Sequence, residues 1–265
     1  MESVNQTLYI PLYGKAYVSR KGMLLEDQKA EEIWERTGFP LTGTAKSKYL
    51  AYYMAMRAAV FDDWLRRQMS HAADAVVIHI GCGLDSRVLR VGTSDHKWYD
   101  VDFPEVIRER KRYYQESADY RMIGGDVRDC IWLNHVPETK RAIVVMEGVS
   151  MYMTTAELTS LIAMLNARFE EIALLMDCYT VFAARMSKYK NPIHVVGVTE
   201  VHGVDDPALL EHADFKFIKE HNMTPRHLID QLSRLETFIF KHLYAGKLSG
   251  KLYRLFEYRG TSHTS

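Results

Sequence analysis

The sequence predicts a doubly wound α/β fold on a mostly parallel sheet of seven strands, with a helical extension ahead of the sheet and a lid late in the chain. Three observations predict it. Apolar runs of strand length alternate with stretches whose apolar residues recur at three and four. The early runs are apolar throughout rather than alternating, as strands covered on both faces must be. The first run ends at once in Gly81-Cys82-Gly83, a tight turn leading into a short helix.

The elements follow in order. Residues 7–13, ahead of Gly14, are apolar but carry Pro11 and read as an extended arm. Leu24 to Glu35 has helical spacing and ends before Gly38 and Pro40. Lys46 to His71 is a long helix, with Arg57 inside its apolar part. These pieces form an N-terminal section, 1–74, packed on a core of 75–265. Ala75 to Ile80 is the first strand and Lys97 to Asp102 the second. Pro104 and Glu105 open a helix running to about Ser117. Asp119 to Asp126 is a third strand, Asp129 to His135 a short helix, and Arg141 to Glu147 a fourth strand. Thr154 and Glu157 make a capping box before a helix with a Leu158, Leu161, Ile162, Leu165 stripe. Glu171 to Tyr179 is the fifth strand. Residues 180–213, with two prolines and three histidines, read as a helix and an irregular lid. Phe215 to His221 is a strand by alternation, Thr224-Pro225 opens a helix through Leu235, and Leu252 to Tyr258 is the last strand. The tail from Gly260 is polar and expected to fray.

The bulk numbers exclude several classes. The chain has 265 residues, 47% hydrophobic and 26% charged, which suits a globular protein with a full core. Lys plus Arg equals Asp plus Glu at 34 each, so no net field favours nucleic acid or a membrane. The three cysteines, Cys82, Cys130 and Cys178, lack metal spacing and suit free thiols in a reducing compartment. No secretory leader and no run of about 20 apolar residues is visible, so a cytoplasmic protein without a metal site is expected.

The chemistry gathers at the strand ends. In an open α/β sheet, ligands bind at the carboxyl ends of the strands, near the switch point. Successive predicted strands end in Gly81/Gly83, Asp102, Asp126 and Glu147. Glycines let a ligand approach the backbone. Asp102 follows Gly81 by 21 positions, close to the roughly 20-residue offset of an acid that grips a ribose hydroxyl. Ser86 replaces the third glycine of the dinucleotide fingerprint, so the loop fits a pyrophosphate imperfectly. An adenosine cofactor without phosphate, such as S-adenosylmethionine, asks less of it. Clustered carboxylates repel and desolvate at a cost, and a cationic ligand rich in hydroxyls and amines relieves that cost.

Seven ordered segments carry a resemblance: TLYIPLYGKA, EDQKAEEI, MRAAVFDDWL, VVIHIGCGLDSRVLR, WYDVDFPEVI, GGDVRD and VVMEGVSMYM, together covering most of residues 7–165. The set resembles the leucine carboxyl methyltransferases and the tetracenomycin polyketide-synthesis O-methyltransferases related to them. The resemblance implies a Rossmann-like methyltransferase fold using S-adenosylmethionine. It implies that Arg57 holds the methionine carboxylate, Gly81 and Gly83 line the amino-acid part, and Asp102 grips the ribose. Asp126 and Val127 would read the adenine, and Glu147 would sit by the methionyl ammonium.

Plainer readings stand beside these. Arg57 is equally an arginine snorkelling from its helix. Asp85 serves as a helix cap, Arg87 closes the short helix or backs the glycine loop, and Asp100 shares a face with Asp102. Met151, Met153 and Met176 read as core filler, and Cys82 as a small packed residue rather than a nucleophile. Tyr152, His194 and His202 are the candidates for the acceptor side; Tyr152 reads equally as a core tyrosine, a lid histidine is more often structural or exposed, and His221 ranks below them. The function expected is an O-methyltransferase acting on a carboxylate or hydroxyl oxygen of a small molecule, carboxylate ahead, by in-line transfer. The alternatives are a nicotinamide-dependent oxidoreductase and a cofactor-binding module without turnover.

Overall fold

The computed structural model describes residues 7–187, 200–212, 214–245 and 251–262. Seven strands form one sheet in the order β3-β2-β1-β4-β5-β7-β6. They are β1 Val76–Ile80, β2 Trp98–Asp102, β3 Tyr120–Gly124, β4 Arg141–Met146, β5 Glu171–Tyr179, β6 Phe215–His221 and β7 Tyr253–Thr261. The first five pair in parallel, and β7 runs antiparallel between β5 and β6.

Period-2 alternation divides the apolar strand residues between two cores. Val77, Trp98, Ile143, Val145 and Leu175 belong to the core made with α1 Tyr9–Ser19, α2 Gln28–Thr37 and α3 Lys48–His71. Val76, Ile78, Ile80, Val101, Val144 and Met146 belong to the opposite core, made with α6 Thr155–Arg168. Asp100 and Asp102 follow Trp98 in steps of two, so both carboxylates lie on the α3 face. Between these elements come α4 Arg87–Val91 and α5 Pro104–Arg110; after β5 come α7 Val181–Ser187, α8 Arg226–Ile229 and α9 Arg234–Leu243. The Thr154–Glu157 capping box forms as the sequence predicts.

Several expectations need correction. Residues 7–13 are not an extended arm; α1 starts at Tyr9, with Pro11 in its first turn, where a missing N–H costs no helical bond. Gly14, which bounded that expected arm, lies inside the helix, where a Cβ would stand 3.2 Å from Met54 Cβ and 3.3 Å from Ala51 Cα. The glycine lets α1 lie close on α3. The helix α2 begins later than predicted, at Gln28, because Asp27 caps it by accepting from Ala30 N–H. Helix α5 ends at Arg110, ahead of a turn that buries Tyr114. The helix opened at Thr224-Pro225 is two, broken where Ser233 caps α9, and Leu235 is exposed. A register shift between Phe217 and Lys219 interrupts the alternation of β6. Gly260 and Thr261 belong to β7 rather than to a frayed tail. A Cβ at Gly260 would lie 2.4 Å from Asn166 Oδ1, so that glycine answers a packing need.

Candidate functional site

The switch point lies between β1 and β4. Ile80 pairs with Met146, so the next residues, Gly81 and Glu147, leave the sheet side by side. Gly81 has φ +66°, and a Cβ there would stand 2.0 Å from Val149 Cγ2. Both conformation and space therefore require glycine. Its N–H donates to Val101 O at 2.7 Å, folding the loop under β2. Gly83 has φ +50°, and its N–H donates to Asp102 Oδ2 at 2.8 Å.

A cavity of about 140 Å³ opens here. Its floor is Gly81 to Ser86 with His79, its sides are Arg57 and Met54 from α3 and Glu147-Gly148, and Leu8, ahead of α1, roofs it together with Pro11 and Lys15 of that helix. Met151, Tyr152 and Tyr253 close the remaining wall. The structure thus brings Arg57, Gly81, Gly83, Glu147 and Tyr152 to one space. Asp102 reaches it through Gly83. Asp126 and Val127 lie outside the lining: Asp126 pairs with Arg128 at the end of β3, and Val127 packs on the opposite core. His202 N–H donates to Met151 O at 2.8 Å, which ties its backbone to the Met151-Tyr152 wall. His194 lies outside the described residues.

Charge is dense beneath this cavity. Arg57 is 2% exposed; its Nε donates to Glu147 Oε1 at 3.0 Å and its Nη1 to Asp177 Oδ2 at 2.7 Å. It does not snorkel. Arg87, fully buried, donates to Asp62 Oδ1 at 2.8 Å and to Glu147 Oε2. Burial alone would raise the Glu147 pKa, but Lys15, Arg57 and Arg87 overcome it and hold the carboxyl down at about 2. Asp100 is buried too, yet Arg110 keeps it at about 2. Asp102 differs: it keeps some exposed surface, its carboxylate is turned under the loop, and burial pushes it up to about 6 despite N–H bonds from Gly83 and Phe103. Burial raises the Cys82 thiol as well, as befits a packed residue.

Asp85 is not the cap of α4, since Ser86 holds that position. Its carboxylate meets Lys15 Nζ at 2.6 Å and Arg90 Nη1 at 2.7 Å. Sequence reasoning missed Asp27 and Asp177 in this site, and it missed Lys15. Reading 7–13 as an arm hid it, although Tyr9, Leu12 and Ala16 carry a helical spacing that places Lys15 on a buried turn. Asp177 was equally legible as an acid inside the apolar run IALLMDCY. Among the described residues no group of three or more His, Cys, Asp or Glu side chains is placed to hold a metal ion, and no helix is long and apolar enough to cross a membrane.

The residues present fit an adenosine cofactor bearing an amino acid: two glycines whose side-chain space the cavity and Val149 take up, carboxylates, and guanidinium donors. Known proteins agree. The leucine carboxyl methyltransferase family profile matches residues 12–166. The tetracenomycin polyketide synthesis O-methyltransferase TcmP of Streptomyces glaucescens is 32% identical over 213 residues, covering 80% of this chain and 79% of its own. The S-adenosyl-L-methionine-dependent methyltransferase dpfgK of Gibberella zeae is 26% identical over 234 residues, covering 80% and 78%. At the level of fold, magnesium protoporphyrin IX methyltransferase from Synechocystis, solved with bound S-adenosylhomocysteine, superposes with TM-score 0.53 at 11% identity over 87% of this chain and 94% of that one. A DUF574 family protein from Streptomyces avermitilis gives 0.59 at 10% identity over 88% and 90%. The chain belongs to the leucine carboxyl methyltransferase family and is an S-adenosylmethionine-dependent methyltransferase.

Proposed function

We propose that this enzyme methylates a carboxylate or hydroxyl oxygen on a small molecule with an apolar, aromatic body, with a carboxylate the favoured acceptor. The observation that carries the reading is the cavity at the switch point, charged at Arg57 and Glu147 and closed by the apolar wall of Met151, Tyr152 and Tyr253. When bound, the cofactor supplies an electrophilic methyl group on a sulfonium.

The chain's own residues supply position. Arg57 has guanidinium N–H donors beyond those spent on Glu147 and Asp177, and these receive the methionine carboxylate. Gly81 and Gly83 admit the amino-acid part against bare backbone. Glu147, held ionised, faces the ammonium. Asp102 accepts from the ribose, and Asp126 with Val127 flank the adenine on the rim beyond the cavity. Of the segment 180–213 read as a lid, residues 188–199 and 213 lie outside the described residues; within the rest, Val204 N–H bonds Tyr179 O at 2.7 Å and so lies against the end of β5, which supports a role on the acceptor side. The N-terminal section 1–74 serves the core by roofing it.

A carboxylic acid with pKa near 4 is already ionised at neutral pH, so alignment and exclusion of water suffice. A phenol with pKa near 10 asks for a base, for which Tyr152 and His202 are the candidates. The small-molecule acceptor is consistent with TcmP, named for a polyketide pathway. Calorimetry with S-adenosylmethionine, followed by transfer of labelled methyl to aromatic acids and phenols, tests the reading. Absence of cofactor binding, or undiminished binding by both Asp102→Ala and Glu147→Ala, would overturn it or its residue roles respectively.

A further inference from the structure

Among the described residues, the ionic groups packed beneath the cavity do not balance. Arg57 joins Glu147 to Asp177, Arg87 joins Glu147 to Asp62, and Arg90 joins Asp62 to Asp27 and Asp85. Lys15 closes on Asp85, and Arg110 on Asp100. None of these side chains is more than 9% exposed. Five cations therefore face six carboxylates in one connected, water-poor body. Lys15, Asp27, Arg57, Asp85 and Glu147 all line the cavity.

The deficit has no internal remedy. His79, a histidine of the body among the described residues, stands between Asp100 and Arg87, but its Nε2 faces Arg87 Nη1 at 3.0 Å and must accept there. A second proton on that ring would point at a guanidinium, and burial disfavours it further. Burial raises the Asp177 carboxyl, but Arg57 and the Gly148 N–H oppose it: it accepts on both oxygens, from Gly148 N–H at 2.7 Å and from Arg57 at 2.7 Å, so a proton there would displace one donor. Asp102, beside the loop, only adds negative charge once it ionises.

We propose that this surplus of one carboxylate over the cations of the body, to which the cavity-lining Asp85 contributes, makes the site tell methyl donor from spent product by charge. The inference rests on the proposed cofactor site. S-adenosylmethionine carries net charge +1 from its sulfonium, ammonium and carboxylate. On transfer the S–CH₃ bond breaks, the acceptor oxygen gains the methyl, and sulfur keeps the electron pair. The thioether left behind is net neutral and no longer completes the balance. A unit charge held against a buried body of opposite sign separates the two ligands by at least about tenfold in Kd. Product then leaves more readily than donor.

The test is calorimetry on the full chain with three ligands: S-adenosylmethionine, S-adenosylhomocysteine, and an analogue with a protonated amine in place of the sulfonium. The two cations are expected to bind at least about tenfold tighter than the thioether. Asp85→Asn, checked for folding by thermal melting, is expected to shrink that ratio mainly by weakening the cations. Should the wild-type protein bind all three alike, the charge inference fails while the cofactor site stands. Should none bind, the cofactor site itself fails. A ratio unchanged in a folded Asp85→Asn variant overturns the role given to Asp85.

Discussion

Asp102 offers a test in which two effects carry opposite signs. Its carboxylate ends β2, accepts from the Gly83 and Phe103 N–H groups at 2.8 Å each, and is pushed up to about 6 by burial. As the proposed ribose acceptor it works in the ionised form. Below pH 6 the free protein holds a proton there, and cofactor binding must expel it. Each pH unit below the pKa then costs about 1.4 kcal/mol, a factor of ten in affinity. The Kd is expected to be flat from about pH 7 to 6.5 and roughly tenfold weaker by pH 5. Glu147 and Asp100, held at about 2, and Asp85, held well below its ordinary value, do not titrate in that window. The cofactor's α-amino group titrates above it, near 8.

Folding responds the other way. A carboxyl whose folded pKa lies above its unfolded value binds more protons in the folded state between those values, so its contribution to stability rises as pH falls from about 6 toward 4. Asp102 thus weakens binding in acid while favouring the fold, which separates its titration from general acid unfolding. The assay pairs calorimetric Kd with urea midpoints across pH 5 to 7, in wild type and in Asp102→Asn. An affinity that stays flat across this range would refute the assignment, as would an equal loss of affinity in Asp102→Asn.

Four further outcomes are expected. Gly81→Ala should lose about 2–5 kcal/mol, from a left-handed backbone and the collision with Val149, while Gly83→Ala, whose Cβ meets only Leu8 Cδ2 at 3.1 Å, should lose about 1–2; denaturant unfolding measures both, and adding Val149→Ala should restore the steric share at Gly81. Arg87→Met should lose about 3–5 kcal/mol because Asp62 and Glu147 are left buried and short of a partner. Arg128→Ala, which breaks the exposed pair with Asp126, should lose no more than about 1 in the same assay. Tyr152→Phe should leave kcat on an aromatic acid within about threefold; a loss of about a hundredfold or more with cofactor affinity intact would make Tyr152 the base and a hydroxyl the acceptor.

What the sequence disclosed follows from the range of the forces involved. The five parallel strands were legible as predominantly apolar runs, clearest in β1 and β4, which lie inside the sheet and are covered on both faces. Gly81 and Glu147 were legible because strand ends at a switch point are a local feature of the chain order. The antiparallel β7 was less so: Gly260 looks like the start of a tail until Asn166 and Phe215 are seen pressing on it from distant elements. Gly14 misled for the same reason, since the helix that requires its small size lies about 40 residues further on.

The ionic partners were least legible. Lys15 and Asp85, Arg87 and Glu147, Arg57 and Asp177 are each separated by 60 to 120 positions, and no periodicity couples residues over such distances. Composition was actively misleading here. The whole chain sums to zero charge, which argues against any field, yet the groups beneath the cavity sum to minus one because folding sorts charges by burial. A carboxylate on the surface is neutralised by water and salt; one under α1 and α3 must be matched by a neighbour or by a ligand. The electrostatic property that matters for a cationic cofactor therefore arises only when α1 closes Lys15 over the glycine loop, a contact between the first helix and the first strand turn that either segment alone leaves unwritten.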